Sequence, residues 1–466
     1  MFSRSWSTGC PTCSTAIDDS RYGDSMEQLN WLGARQAAQG IRDGLFSATD
    51  LVNACLAQIA AREPEVQAWA YLDPAHALAQ AQRADEWRAA GKPLGPLHGV
   101  PVGIKDIIDT GDMPTEDGTP LHSGRSPWHD AKVVELLRGA GAIIMGKTVT
   151  TELATYSPGK TRNPHNPAHT PGGSSSGSAA AVAAGMVPLA LGTQTNGSLI
   201  RPAAYCGVFG FKPSRGLISR RGILRQSESL DQPGGFARSV EDLALLGEVL
   251  AAYDAEESDM QPRGSVPMSR VCGEDAPMPP TLALVKTPLW QQADAEVHGG
   301  LAELAEHLGE HVGEFVLPDS AAQALDWHKT VMEADIAANY AADYERGADR
   351  MSASLREQIE RGRRITAVDY LVARSRIPIV TEGLDEIFDR YDAILTPAVA
   401  GAAPAGLEST GSPMFCTLWS FCGMPAISLP LLQAGNGLPL GVQLVGRVGD
   451  DARLLRTARW LVETVA

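Results

Sequence analysis

The densest motif of the chain is a run of small residues. Residues 171–178 read Pro-Gly-Gly-Ser-Ser-Ser-Gly-Ser and pass directly into an alanine-rich segment that ends at Gly185. This pattern predicts a loop followed by a helix whose small side chains allow close packing against its neighbours. Exposed N–H groups at such a helix start favour negative charge, so the run alone is compatible with a phosphate cradle or with a plain linker.

Composition excludes several classes of protein. Of the 466 residues, 44% are hydrophobic and 20% are charged, so the chain can bury a large core and is not a disordered one. The net charge of −16 argues against a nucleic-acid-binding surface and against docking onto anionic membranes. We therefore expect no nucleic-acid partner and no membrane partner.

The cysteines and the beginning of the chain bear on its compartment. Seven scattered cysteines do not resemble a disulfide framework, and Cys10-Pro-Thr-Cys13 lacks the second ligand pair that a zinc site needs. No apolar run reaches the ~18 residues of a membrane span. We expect a cytoplasmic protein whose residues 1–25 form a flexible leader ahead of the first helical pattern at Met26.

Apolar strand-like runs alternate with helical patterns along the chain, which indicates an α/β protein. Ser47 and Ser239 are predicted helix caps, each followed three residues later by an acidic residue. Strands are predicted at 142–145, 281–286, 393–395, 426–429 and 440–445. Residues 254–280 are rich in Pro, Ser and Asp and are predicted to form a surface connection between two halves.

One segment matches a nucleotide-binding pattern in its residue types but not in its predicted secondary structure. Gly141 to Thr148 fits GxxxxGK[ST], which requires a loop between a strand and a helix. Here the intervening residues are themselves the apolar run, and a helix precedes Gly141. The segment is therefore predicted to be a strand that ends in a tight turn.

A second loop carries a candidate nucleophile. Strand-like residues 187–191 lead into Thr193-Gln-Thr-Asn-Gly-Ser198, where Asn196 and Gly197 tolerate unusual backbone angles. Successive N–H groups of such a loop can converge to form an oxyanion hole beside Ser198. A serine nucleophile needs a base, and no histidine belongs to these loops. Lys105, set among apolar residues, is the best-placed candidate because burial disfavours its ammonium form.

The segment from Gly172 to Pro213, with Gly-Val-Pro-Val-Gly-Ile-Lys105-Asp106 upstream, resembles the amidase signature family. Gly423-Met-Pro-Ala426 and Gly437-Leu-Pro-Leu-Gly441 are also similar to that family, and the resemblance extends over most of the chain from about residue 30. It implies a large, mixed, twisted β-sheet covered by helices on both sides. It also implies one domain over 26–466, with a signature core at about 95–250, a linker at 254–280 and a C-terminal half at 281–466.

The resemblance further implies a Ser–cis-Ser–Lys triad. The family's lysine falls on Lys105, its middle serine, which follows a cis peptide bond, on Ser174, and its nucleophile on Ser198. Neutral Lys105 would take a proton through Ser174 as Ser198 attacks an amide carbonyl. The N–H groups of residues 195–198 (Thr195, Asn196, Gly197 and Ser198) would hold the oxyanion, and no metal or organic cofactor is needed.

Two departures from the family pattern bear on the substrate. Arginine lies three residues after the nucleophile instead of two, and the loop has Thr-Gln-Thr-Asn-Gly where many members have Thr-Asp-Thr-Gly-Gly. The shifted Arg201 resembles that of malonamidase-like solitary bacterial amidases, in which it grips a substrate carboxylate. The alternative is an arginine paired with a buried Asp or Glu.

These observations predict a hydrolase that cleaves a linear C–N amide bond other than a peptide bond through a serine acyl-enzyme, releasing a carboxylic acid and ammonia or an amine. Carbamate or urethane, anilide and ester bonds are alternative targets of the same triad. The expected partner is a small-molecule amide or carbamate substrate, and a homodimer is one option. A second alternative is a subunit of a glutaminyl-tRNA-type amidotransferase, against which the atypical loop argues. A non-catalytic binding protein is disfavoured because Lys105, Ser174 and Ser198 are all present.

Overall fold

The computed structural model describes residues 26–466. The leader and the Cys10–Cys13 pair lie outside the described residues. Strands and helices alternate along the chain and build one mixed sheet, and this confirms the predicted α/β class.

The sheet of the described residues has eleven strands. They are β1 (Trp69–Leu72), β2 (Pro101–Lys105), β3 (Ile143–Thr148), β4 (Leu189–Gln194), β5 (Phe209–Lys212), β6 (Gln232–Ala237), β7 (Leu282–Lys286), β8 (Val312–Val316), β9 (Ala393–Pro397), β10 (Ala426–Gln433) and β11 (Pro439–Val445). Their order across the sheet is β1-β3-β2-β4-β6-β5-β10-β11-β9-β7-β8. Strands from both sequence halves therefore share one sheet, which is joined where β5 pairs antiparallel with β10.

Helices connect most of these strands. They are α1 (Ala34–Asp43), α2 (Ala48–Val66), α3 (Pro74–Ala89), α4 (Lys132–Gly139), α5 (Ser176–Ala183), α6 (Ile200–Cys206), α7 (Val240–Leu250), α8 (Met268–Gly273), α9 (Ala295–Leu308), α10 (Gln323–Asn339), α11 (Ala341–Gly347), α12 (Ala353–Gly362), α13 (Ala367–Asp385), α14 (Met414–Phe421) and α15 (Asp451–Val465). Both predicted caps are present: the Ser47 hydroxyl accepts from the N–H of Asp50, and that of Ser239 accepts from the N–H of Asp242.

Residues 143–148 of the nucleotide-binding pattern form strand β3, so the strand is present but continues beyond residue 145, where the sequence predicted a turn. Its residues pair with β1 on one side and β2 on the other, and all six are buried. Lys147 lies inside the protein, where its Nζ donates to the carbonyl of Ile108 at 2.6 Å. The backbone N–H groups of this segment serve the sheet and are not gathered into a phosphate-binding loop.

The connection at 254–280 is mostly exposed, but it is not irregular throughout. It contains α8, in which Met268 and Cys272 are buried. Met268 packs over Gly247 of α7, a position where a glycine leaves room for the methionine sulfur. A helix of six residues is too short to produce a recognisable hydrophobic period, so the sequence pattern did not indicate it.

The central strands position the candidate site. Strands β2 and β4 are parallel neighbours, with Ile104 opposite Leu191, so their carboxyl ends lie at the same edge of the sheet. Lys105 is the last residue of β2, and Thr193 lies near the end of β4. Functional groups at the carboxyl ends of parallel strands are typical of α/β enzymes.

Candidate active site

Lys105 is fully buried at the end of β2. Its Nζ lies 2.7 Å from the Oγ of Ser174 and 2.9 Å from the Oγ1 of Thr193. Burial lowers the pKa of Lys105 to about 7, and the charge of Asp231 opposes this shift. A substantial fraction of the side chain is therefore neutral near neutral pH, and a neutral amine has the lone pair that a general base requires.

Ser174 lies in the loop before α5. Its hydroxyl is buried beside Lys105, and the Gly173–Ser174 peptide bond is cis. Gly172 has a φ of +82°, and a Cβ there would lie 2.8 Å from the Cα of Pro202. The loop thus passes so close to the start of α6 that only glycine fits at position 172.

Ser198 lies in the loop between β4 and α6 and is half-buried. Its carbonyl accepts from the N–H of Ser175 at 3.4 Å, which ties this loop to the one that carries Ser174. Ser198, Asn196 and Gly197 line a cavity of about 240 Å³. Across residues 26–466, the backbone N–H groups of these three residues have no protein acceptor.

Side chains from distant parts of the chain hold the carbonyls of this loop. The Nε2 of His328, on α10, lies 3.0 Å from the carbonyl oxygen of Thr195, and Ser420, on α14, donates to the carbonyl of Asn196 at 2.5 Å. Gln194 accepts the N–H groups of Leu199 and Ile200 at 2.8 and 3.0 Å. The loop is therefore anchored both at its base and from the C-terminal half.

The Asn196 side chain is fixed by two further residues. Its Nδ2 donates to the hydroxyl of Tyr156 at 3.2 Å, and its Oδ1 accepts from the hydroxyl of Thr417 at 2.7 Å. Tyr156 also lines the cavity of Ser198. The asparagine that distinguishes this loop from the common family pattern therefore shapes one wall of the cavity.

Arg201 is buried, and its guanidinium is held by neutral acceptors. It donates to the carbonyl of Gly411 at 2.8 Å, to the carbonyl of Gly173 at 2.6 Å and to the hydroxyl of Thr410 at 3.2 Å. Burial lowers its pKa, and no carboxylate in residues 26–466 forms an ion pair with it. Within residues 26–466 the acceptors of Arg201 are thus two carbonyls and a hydroxyl, and not the buried Asp or Glu of the alternative. Arg201 lines the same cavity as Ser198, so its positive charge lies beside that cavity.

A second cavity, of about 400 Å³, shares Ala154, Thr195 and Gln226 with the first. Its apolar wall includes Ile107, Ile223 and Leu224. Together the two cavities provide a polar compartment beside Ser198 and a more apolar one on the other side of Thr195.

Asp231 lines this second cavity. It accepts from the hydroxyl of Thr195 at 2.5 Å and from the N–H groups of Gln226 and Ser227 at 2.8 and 2.9 Å. Burial raises its pKa to about 6 in spite of these bonds. Asp231 therefore acts on the site in two ways, through its bond to Thr195 and through its charge near Lys105.

Comparison with known proteins places this geometry in a family. A family model described as Amidase matches residues 50–455. The chain belongs to the amidase signature family. Among its relatives is a glutamyl-tRNA(Gln) amidotransferase subunit from Chloroflexus aggregans, which is 34% identical over 471 residues, covering 92% of this chain and 96% of the relative.

Solved structures of family members share the fold. The native peptide amidase from Stenotrophomonas maltophilia superposes with a TM-score of 0.82 at 28% identity, covering 95% of this chain and 97% of the other. A 6-aminohexanoate cyclic dimer hydrolase in complex with its substrate gives a TM-score of 0.83 at 27% identity, covering 94% and 97%. The chain is thus an amidase-family hydrolase. A special likeness to malonamidase-like members stays a prediction.

The expectation that excluded nucleic acid is contradicted by these relatives. The Chloroflexus protein is named as part of an amidotransferase for glutamyl-tRNA(Gln). The error lies in the use of net charge, because a whole-chain sum of −16 does not describe the potential of any one surface. No helix in the described part of the chain is long and apolar enough to cross a membrane.

Four residues of the site were not predicted as site residues from the sequence, although Thr193 belongs to the loop that leads to Ser198. Thr193, Asp231, His328 and Ser420 contact the predicted site residues, but they are scattered over more than two hundred positions. His328 could have been noticed as an unusual histidine among the core residues of a helix. Nothing in the local sequence pattern, however, connected it to Thr195.

Proposed function

We propose that this protein cleaves a linear amide bond through an acyl-enzyme on Ser198. Lys105 acts as the base through Ser174: as the Ser198 oxygen attacks the carbonyl carbon, its proton passes to Ser174, and the Ser174 proton passes to Lys105. Collapse of the tetrahedral intermediate breaks the C–N bond, and the relay returns a proton to the leaving nitrogen. Water then hydrolyses the acyl-enzyme by the same relay.

The observation that carries this proposal is the environment of the Lys105 amine. A neutral amine has two N–H groups and one lone pair, so it can donate to Thr193 while it accepts from the Ser174 hydroxyl. The distances of 2.9 and 2.7 Å suit both bonds. The fully buried position and the pKa of about 7 support a base that is active near neutral pH.

The oxyanion is assigned to the backbone of residues 195–198. The N–H groups of Asn196, Gly197 and Ser198 have no protein acceptor within residues 26–466, and all three residues line one cavity. N–H groups that are fixed before the reaction stabilise a developing negative charge without reorganisation.

Arg201 is proposed to bind a carboxylate of the substrate. Its buried guanidinium has three neutral acceptors and no carboxylate partner within residues 26–466, and it lines the cavity of Ser198. A buried positive charge without a counter-ion favours an anionic ligand, because the ligand would supply the missing charge. The acyl portion of the substrate is accordingly proposed to be small and to carry a carboxylate.

Reaction with a fluorophosphonate tests the nucleophile. The purified chain should form one covalent adduct, and mass spectrometry of the digested protein should place it on Ser198. Ser198→Ala should abolish the adduct, whereas Ser176→Ala, which changes a neighbouring serine of the small-residue run, should retain it. An adduct elsewhere, or none, would contradict the mechanism.

A second candidate function is that of the amide-cleaving component of a tRNA-dependent amidotransferase. It is favoured by the 34% identity to the Chloroflexus protein over nine-tenths of the chain. Both candidates share the acyl-enzyme chemistry and differ in what receives the released nitrogen. Carbamate, urethane, anilide and ester bonds remain alternative targets of the isolated enzyme.

The two candidates are separated by testing the chain alone. Ammonia or amine release should be measured on glutamine and on a panel of amides, anilides, carbamates and esters, with and without a carboxylate. Turnover of a panel member at rates typical of enzymes, above about 1 per second, would favour the independent hydrolase. Cleavage of glutamine alone, stimulated by a co-expressed partner in gel-filtration fractions, would favour the amidotransferase component.

A further inference from the structure

One face of α10 contacts the loops that form the candidate site. His328, Met332, Asp335 and Asn339 are spaced by four, three and four residues, which places them on one side of the helix. His328 bonds to Thr195, Ser227 donates to Asp335, and Asn339 donates to the carbonyl of Gln226 at 3.1 Å. Met332 lines the cavity of Ser198. This helix therefore supports the candidate site along most of its length.

The bond between His328 and Thr195 has a defined direction. A carbonyl oxygen only accepts, so the Nε2 of His328 carries the hydrogen. Burial lowers the pKa of His328 to about 4, so the ring is neutral at ordinary pH and has a single N–H. That one donor is committed to the carbonyl of Thr195.

Peptide geometry carries this effect into the cavity. In a trans peptide the C=O and the following N–H point in opposite directions, and the only cis peptide in the described chain is Gly173–Ser174. The carbonyl of Thr195 is held towards α10, so the N–H of Asn196 points away from it. In the same way, the bond from Ser420 to the carbonyl of Asn196 directs the N–H of Gly197 away from α14.

Gly197 has little freedom to move from this arrangement. A Cβ at this position would lie 2.8 Å from the Cβ of Pro413, so the loop is pressed against the segment that precedes α14. The free N–H groups of Asn196 and Gly197 consequently have fixed directions and no protein acceptor in residues 26–466. Fixed, unpaired donors are what stabilisation of an oxyanion requires.

We propose that His328 is a positioning residue that, by holding the Thr195 carbonyl, aims the N–H of Asn196 at the oxyanion of the reaction. This role rests on the proposed function, since it presupposes attack by Ser198. His328 does not touch the reacting atoms; it acts through the Thr195–Asn196 peptide. Its loss should therefore weaken stabilisation of the transition state and leave binding of the ground state nearly unchanged.

The test compares His328→Leu, which lacks a donor, with His328→Gln, whose side-chain amide can restore one. His328→Leu should lower kcat by about 10- to 100-fold with KM changed by less than about 2-fold, since loss of a whole oxyanion donor costs about 100- to 1,000-fold. His328→Gln should recover most of the rate. Lys329→Ala, on the exposed side of α10, is the matched control and should behave as wild type.

The rate of fluorophosphonate reaction at Ser198 gives a second readout, because the phosphonyl oxygen also needs the loop N–H groups. It should fall in parallel with kcat in His328→Leu. An unchanged kcat, a loss confined to KM, or a glutamine variant as slow as the leucine variant at equal thermal stability would overturn the role of His328.

Ser420→Ala keeps the test informative should His328→Leu not fold. It removes the hydroxyl that holds the next carbonyl of the loop and should give the same loss of kcat without a change in KM, whereas wild-type kcat in this variant would count against the proposal. A wild-type protein that is not labelled at Ser198 would remove the proposed function itself. A labelled wild type with a fully active His328→Leu variant would remove the positioning role alone.

Discussion

The guanidinium of Arg201 donates to the carbonyl of Gly173 at 2.6 Å, and that carbonyl belongs to the peptide bond that leads into Ser174. The arginine that is displaced by one position from the common family pattern is thus connected to the proposed proton relay. Its remaining bonds go to Gly411 and Thr410, so one side chain joins the loop of Ser174 to the segment before α14. Arg201 is therefore expected to have two separable effects, one on binding of a substrate carboxylate and one on the position of the loop that carries Ser174.

Arg201→Ala should raise KM only for substrates that carry a carboxylate and should lower kcat for all substrates. For amides that carry a carboxylate, KM should rise about 10- to 100-fold, the range for loss of a hydrogen bond to a charged group. For matched neutral amides KM should stay nearly constant, while kcat falls on both because Gly173 loses its donor. Steady-state kinetics on paired substrates measure this, and an equal rise of KM on both would remove the role in carboxylate binding.

The pH dependence should report the protonation of Lys105. Below a pKa of about 7 the amine carries a proton and has no lone pair, so kcat/KM should fall about tenfold per pH unit as the pH is lowered. Above about pH 8 the profile should level off. A profile that is flat from pH 6 to pH 10, with chemistry shown to limit the rate, would contradict the role of Lys105 as base.

Thr193→Val should shift this profile towards lower pH. The Thr193 hydroxyl lies 2.9 Å from the Lys105 amine and accepts from it, and a hydrogen-bond acceptor favours the charged ammonium form. Its removal should therefore lower the pKa of Lys105 further, and loss of orientation should reduce kcat by about tenfold. Thr193→Ser keeps the hydroxyl and serves as the control. A shift towards higher pH in the valine variant would show that the Thr193 hydroxyl does not favour the ammonium form of Lys105.

Asp231→Asn should also move the acid limb of the profile to lower pH. The carboxylate charge raises the pKa of Lys105, so its neutralisation should lower that pKa. The N–H groups of Gln226 and Ser227 donate to the Asp231 carboxylate, and the NH2 group of an asparagine cannot accept from them. A modest loss of thermal stability is therefore expected, because buried donors are left unpaired. Rate profiles of the variant against wild type, together with melting temperatures, check both effects; an unshifted limb would show that the Asp231 charge does not reach Lys105.

The GxxxxGKT segment should not bind nucleotide. Residues 143–148 of this segment form β3 between two neighbouring strands, and the buried Lys147 amine donates to the carbonyl of Ile108. Isothermal titration with ATP and magnesium should give no heat of binding, and ATP should leave amide hydrolysis unchanged. Measurable binding that is lost in Lys147→Ala would overturn this interpretation.

Local patterns in the sequence were sufficient for much of the fold. The caps at Ser47 and Ser239 and the strands at 393–395 and 440–445 follow from a few adjacent residues, because capping and hydrophobic period are short-range effects. Helix α8 was not predicted because its six residues are too few to show the hydrophobic period of a helix. The edge strand β8, half exposed, gave no continuous apolar run either.

By itself, the sequence determined the family through the long motif at 172–213, and with it the choice of Lys105, Ser174 and Ser198 as candidates. Only the tertiary structure decided what surrounds them. Thr195 meets His328 across 133 positions, and Arg201 meets Gly411 across 210. Such contacts arise from the packing of whole helices and strands against one another, and no local period or spacing encodes them. The same packing buries Lys105 and lowers its pKa, a property that depends on every neighbour that excludes water from the amine.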